Sequence, residues 1–250
     1  MVKLEVLTGY LDALLNISDV TDDFKNGLIF KGKDEVGTVG LATHTTFEVI
    51  DNAKKERVDF LLVHHGGWEE IDMSLFGQKM SKLDRYRISL YIAHSSLDNA
   101  SEFGTGDSLA RLLEMSIIGR FADYGKGKAG VYGTVDKTSF DMVCQQLLRK
   151  LPGAKIEASK NGAEYVTRLA IVTGNGKLTK WLEEAYKLGC DTYLTGEGSV
   201  FTRIFAKEIA MNLIFAGHTS TERPGVLSLG RKIKEKFKDI KIIELKETFF

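Results

Sequence analysis

Asp59-Phe60-Leu61-Leu62-Val63-His64-His65-Gly66-Gly67 sets the class of the fold. An almost wholly apolar run this short, stopped by two glycines, is the mark of a strand covered on both faces. Such strands belong to parallel sheets flanked by helices. Ile88 to Ala93 repeats the pattern downstream, and Val36 to Ala42 precedes it. Between them Phe47 to Arg57 reads as a helix, with Thr45 or Thr46 as its N-cap. Upstream lie an amphipathic helix carrying Leu4, Leu7, Leu11, Leu14 and Leu15, and a short strand near Leu28–Lys31 after the Asn26-Gly27 turn.

Downstream, a glycine-rich stretch from Gly119 to Gly133 suggests a lobe boundary. A strand near Gly130–Val135, a helix from Ser139 to Leu151 and a strand pair turning at Asn161-Gly162 come next. Leu169–Thr173, Thr192–Leu194 and Asn212–Ala216 then read as strands. They alternate with helices over Leu178–Leu188 and Thr202–Ala210, and a long helix spans Thr221–Phe237. The expectation is an α/β protein of two similar lobes, residues 1–121 and 122–250, related by a pseudo-twofold duplication, with a metal site between them at the C-terminal ends of the strands.

The duplication is read from offsets. His64 and His65 lie five and six residues beyond Asp59, and Gly196 and Glu197 lie at the same offsets from Asp191. One helix and strand later, the first half gives His94-Ser-Ser-Leu-Asp98 and the second His218-Thr-Ser-Thr-Glu222, both His-x-x-x-acid just past an apolar strand.

Composition narrows the function. The 250 residues carry 34 basic and 34 acidic side chains, a formal net charge of zero, so no global field favours nucleic acid or an anionic membrane. The basic residues Arg231, Lys232, Lys234, Lys236 and Lys238 read as the solvated face of an amphipathic helix. Cys144 and Cys190 form no CxxC pair and read as reduced thiols. The N-terminus lacks the pattern of a signal peptide, and no stretch is long and apolar enough to span a membrane, which points to the cytoplasm.

All five histidines, His44, His64, His65, His94 and His218, fall at or just beyond a strand's C-terminal end, the edge where ligands bind in open α/β sheets. Several imidazoles on one rim suit transition metals. Adjacent His64 and His65 can diverge at the glycine exit toward different ions. Asp98 and Glu222 supply anionic partners, and a carboxylate can bridge two cations. This nitrogen and oxygen set, without cysteine, suits iron, zinc, manganese, cobalt or nickel. His94 and Glu197 are candidate catalytic residues, as proton carriers or as groups supporting the ligands. Thr173-Gly174-Asn175-Gly176 reads as an ordinary strand–helix turn.

These segments resemble the NGG-one-interacting-factor-three-like dinuclear metal proteins, often labelled GTP cyclohydrolase I type 2 homologues. The resemblance runs through Asp23-Phe-Lys-Asn26-Gly27-Leu28, Val63-His64-His65-Gly66, His94-Ser-Ser-Leu97-Asp98, Tyr193-Leu-Thr195-Gly196-Glu197 and Ala216-Gly217-His218-Thr-Ser-Thr-Glu222-Arg223. It covers essentially the whole chain, departing from the family pattern at Ala42-Thr43-His44. It implies two divalent transition-metal ions per chain, one on His65 and Asp98, the other on His64 and His218, with Glu222 bridging both. It also implies a toroidal homohexamer. The function expected is a metal-dependent hydrolase acting on a nucleotide or phosphoester. The alternatives are a non-catalytic ring that engages nucleic acid or protein, and metal storage or delivery.

Overall fold

The computed structural model describes residues 1–19, 22 and 24–248. Two compact units divide the chain: residues 1–100 with 226–250, and residues 101–225. The first contains strands Val2–Lys3 (β1), Gly27–Phe30 (β2), Glu35–Val36 (β3), Thr38–His44 (β4), Phe60–His65 (β5) and Ser89–Ile92 (β6). The second contains Ser116–Tyr124 (β7), Gly127–Ser139 (β8), Glu157–Ser159 (β9), Tyr165–Asn175 (β10), Thr192–Glu197 (β11) and Asn212–Phe215 (β12), after which Lys241–Glu244 (β13) returns to the first.

In the first unit a five-stranded sheet runs in the order β13-β4-β5-β6-β2. β4, β5, β6 and β13 are parallel, and β2 closes the edge antiparallel. β5 is apolar because both its faces are covered. Leu61 and Val63 pack with Leu90 and Ile92 against Val49, Ile50 and Ala53 of the helix Phe47–Lys55 and Leu83 of the helix Phe76–Tyr86. Alternation turns Phe60, Leu62 and Tyr91, all fully buried, to the opposite face. There the Tyr91 hydroxyl donates to Asp12 of the helix Leu4–Leu14 at 2.7 Å. Each such side chain, taken out of water, stabilises the fold by about 1.5–3 kcal/mol.

The second unit has a six-stranded sheet, β7-β8-β10-β11-β12-β9, with β10, β11 and β12 parallel. Alternate residues again serve two layers. Leu169, Ile171, Leu194 and Ile214 meet Val143 and Leu147 of the helix Phe140–Lys150. Ala170, Val172, Tyr193 and Leu213 meet Trp181, Leu182 and Ala185 of the helix Thr179–Lys187.

The two central strands are pinned alike. The Asp59 carboxylate accepts the N–H groups of Gly37 and Thr38 at 3.0 and 3.1 Å. The Asp191 carboxylate accepts those of Thr167 and Arg168 at 2.8 and 2.9 Å.

Two expectations change. Asn161-Gly162 does not join a strand pair, since β9 pairs with β12 while β10 pairs with β8 and β11. The Asn212 side-chain oxygen accepts both the Asn161 and Gly162 N–H groups at 3.0 Å, and this draws the turn across to β12. The glycine-rich stretch is the β7–β8 hairpin, inside the second unit. The compact units therefore part at residues 100/101 and 225/226, and parallel pairing of β13 with β4 places the last residues in the first unit. Among the described residues no helix is long and apolar enough to cross a membrane.

Candidate metal centre

In the first unit the parallel strands stop together and leave their histidines on one rim. His44 ends β4 beside its register partner His65 on β5, and the two rings stack at 5.0 Å. Gly66 and Gly67, at φ of 89° and 72°, carry the chain sharply away after β5 in a conformation that favours glycine. His64 is fully buried. Its Nδ1 donates to the Ala93 carbonyl at 2.6 Å, and its Nε2 lies 3.5 Å from a carboxylate oxygen of Asp98.

His94 follows β6 after a single intervening residue, Ala93. Its Nδ1 lies 2.8 Å from the Asp22 carboxylate, which also accepts the Asn26 side-chain amide at 2.7 Å and the Ser95 N–H at 3.2 Å. Burial raises the Asp22 pKa, but hydrogen bonds and charge from His94, with Ser95 and Asn26, outweigh it and hold the carboxyl well below its ordinary range. Trp68 stands edge-on to the His94 ring at 5.1 Å and stacks on Phe24 at 4.6 Å. One ring nitrogen from each of His64, His65 and His94 lies within 4.8 Å of the others.

In the second unit His218 opens the helix His218–Lys236, directly after the turn that ends β12. Its Nδ1 lies 2.9 Å from Glu197 at the end of β11, and its Nε2 lies 3.0 Å from Glu222, one helical turn on. Burial lowers the His218 pKa, but Glu222 and then Glu197 outweigh it and push it up to about 9. Gly174 gives Glu222 its room. At φ +62°, a Cβ there would run into the Glu222 carboxylate and sit 3.0 Å from His218 Nε2.

Each unit thus brings together the residues that the sequence singled out in it: His64, His65, His94 and Asp98 in one, Glu197, His218 and Glu222 in the other. Asp98 ends the short helix Ser95–Asp98. Glu197 touches His218 and fixes its ring. Three contributors escaped the sequence reading. Asp22 and Trp68 flank His94, and Glu247 accepts the Thr43 and His44 N–H groups at 2.7 and 2.8 Å, holding the end of β4. Nothing in local pattern marks an aspartate in an irregular segment as a partner of a histidine 72 positions away. Asp23, the first residue of the resembling segment, lies outside the described residues.

Comparison with known proteins identifies the family. The model of Duf34/NIF3 (NGG1p interacting factor 3) matches residues 2–248. The chain belongs to the Duf34/NIF3 family. A relative from Pyrococcus horikoshii, named GTP cyclohydrolase 1 type 2 homolog, is 34% identical over 235 residues, covering 92% of this chain and 93% of the relative. Among solved structures, the protein ybgI, described as of unknown function, superposes with a TM-score of 0.89 at 25% identity, covering 99% of both chains. A protein from Thermus thermophilus does so with a TM-score of 0.86 at 28% identity, also covering 99% of both. The chain, a member of this family, carries histidine and glutamate groups that could hold a metal ion, the first of them His64, His65 and His94.

Proposed function

We propose that this family member is a dinuclear metal-dependent hydrolase acting on a nucleotide or phosphoester. Its two ions would be held by His65 and Asp98 and by His64 and His218, with Glu222 shared. The observation that carries the reading is the tying of ring nitrogens. His64 and His218 each have Nδ1 against an oxygen, of Ala93 and Glu197 respectively. Metal-binding histidines are oriented in this way, with Nε2 left for the ion. The donor set fits divalent iron, zinc, manganese, cobalt or nickel. The shared topology and the matching Asp59 and Asp191 pins support descent of the two units from a duplication.

Two divalent ions would supply Lewis acidity and a nucleophile from water at neutral pH. The protein's part is to hold the donor rings at fixed angles, through Ala93 and Glu197, and to bring carboxylates that offset the cations' mutual repulsion. The relatives' shared name favours a purine nucleotide such as GTP as the first substrate to try. The protein is further proposed to act in the cytoplasm as a closed homohexamer, by likeness to its family.

Elemental analysis after reloading with cobalt(II) or iron(II) should find about two ions per chain. The loaded protein should turn over GTP or a phosphoester, and Asp98→Ala should abolish that turnover. Light scattering should give a hexamer. Metal content near zero removes the dinuclear reading. Full loading without turnover across nucleotides and phosphoesters leaves a binding or storage protein instead.

A further inference from the structure

We infer that the cleft between the helices Phe47–Lys55 and Phe76–Tyr86 of the first unit binds a small organic phosphate with a flat ring, the chemistry of a mononucleotide. None of the residues lining it belongs to the candidate metal centre. Binding here needs no metal and stands apart from the dinuclear reading.

The cleft follows from the side chains along one helix face. Gln78, Ser81, Lys82 and Arg85 recur at intervals of three and four, so they line one side of the helix Phe76–Tyr86. The helices meet through Val49, Ile50 and Ala53 on one and Leu83 on the other. Gly77 supplies no side chain, and a Cβ there would meet nothing within 4 Å. Phe47, half-buried in the first turn of its helix, forms a wall. The space so left is about 430 Å³, inside the ~300–1,000 Å³ of small-molecule sites.

The lining chemistry selects the ligand. Its four polar side chains all donate hydrogen bonds: the Gln78 amide, the Ser81 hydroxyl, the Lys82 ammonium and the Arg85 guanidinium. Among the described residues no carboxylate lines the cleft. Two cations and two further donors suit an anion rich in acceptors, and the planar guanidinium fork matches two oxygens of a phosphate. Arg85 is exposed, and its side chain makes no hydrogen bond or ion pair among the described residues. Lys82 is held in place instead. Its Nζ lies 2.7 Å from Asp51, whose other oxygen accepts the Tyr86 hydroxyl at 3.2 Å, and 5.5 Å from the centre of the Phe47 ring. An ammonium carries three donors, so one bond to Asp51 leaves two for a ligand. Phe47 is the aromatic surface of the lining, and flat bases pack on such rings.

The test uses the full-length chain as purified, titrated calorimetrically with guanosine monophosphate, inorganic phosphate and guanosine. The nucleotide should fill one site per chain, bound about tenfold or more tightly than either fragment, since each fragment meets only part of the lining. Arg85→Gln should weaken it about 10- to 100-fold through loss of the charged donor. Gly77→Leu should abolish it by filling the cleft with every charge in place, and leucine is the better helix former, so the fold is kept. EDTA should change nothing. Nitrogen-15 spectra of wild type need no substitution: the Phe47, Gly77 and Ser81 amides should shift with the nucleotide, and those of Gly66 and Gly217 at the strand ends should not. Absence of binding at millimolar nucleotide overturns the inference. So do unchanged affinity in both variants, binding lost to EDTA, shifts confined to Gly66 and Gly217, or inorganic phosphate that binds as tightly as the nucleotide. Neither metal content nor turnover is read, so failure here leaves the dinuclear reading standing, and failure of that reading leaves this site.

Discussion

Gly174→Ala reaches both the fold and the site through a single methyl group. The residue sits at φ +62°, where an L side chain costs about 1–2 kcal/mol. The new Cβ would also meet the Glu222 carboxylate, whose side chain is 4% exposed and has little room to retreat. Forcing that side chain off its rotamer adds about 0.5–1.5 kcal/mol. The His218–Glu222 pair is left out of the sum, because His218 is partly open to water and screening reduces its worth. The total is about 2.5 kcal/mol, which for a chain of this length lowers Tm by about 5–10 °C. The same displacement pulls an oxygen away from His218 Nε2, so metal loading should fall along with stability. Differential scanning calorimetry of the metal-free protein and cobalt(II) titration read the two effects separately. A variant that melts within about 1 °C of wild type and loads the same metal would refute the account of why this position is glycine.

Gly9→Ala should act oppositely. Gly9 lies inside the helix Leu4–Leu14 with open space around it, so alanine should stabilise by about 0.5–1 kcal/mol, seen as a higher denaturation midpoint. Asp191→Ala leaves the Thr167 and Arg168 N–H groups without their acceptor and should cost about 1–3 kcal/mol in urea unfolding, with Asp59→Ala behaving alike at Gly37 and Thr38. Burial pushes the Cys190 thiol up to about 12 and the Cys144 thiol up to about 11, so both stay protonated at pH 8. Iodoacetamide should therefore label the native protein slowly at pH 8, faster as pH rises, and rapidly once urea unfolds it; fast native labelling would contradict the packing. Chelation of a loaded protein should lower Tm by about 5–11 °C if free metal had stood at 100 times its Kd, and reloading should restore it.

What could be read from the chain was whatever local pattern controls. The run Phe60–Val63 announces a two-faced strand because both faces are in fact covered, and His64 and His65 fall at its end because the glycines must come next. The His-x-x-x-acid spacing at His218 and Glu222 is one helical turn, so it survives folding unchanged. The unread parts depend on distant sequence. Asp22 finds His94 only because β2 lies beside β6. The Asn161-Gly162 turn looks like a hairpin locally and is overruled by Asn212, 50 residues on. β13, short and half charged, is a strand only because β4 offers an edge for it.

That edge gives the chain an order of assembly. Residues 101–225 form an uninterrupted stretch that holds every strand of its own sheet, so this unit can fold as soon as that stretch is free. The first sheet has to wait: residues 241–244 complete its β4 edge, and Glu247 then ties off the Thr43 and His44 N–H groups. The half of the chain made first is therefore the half finished last.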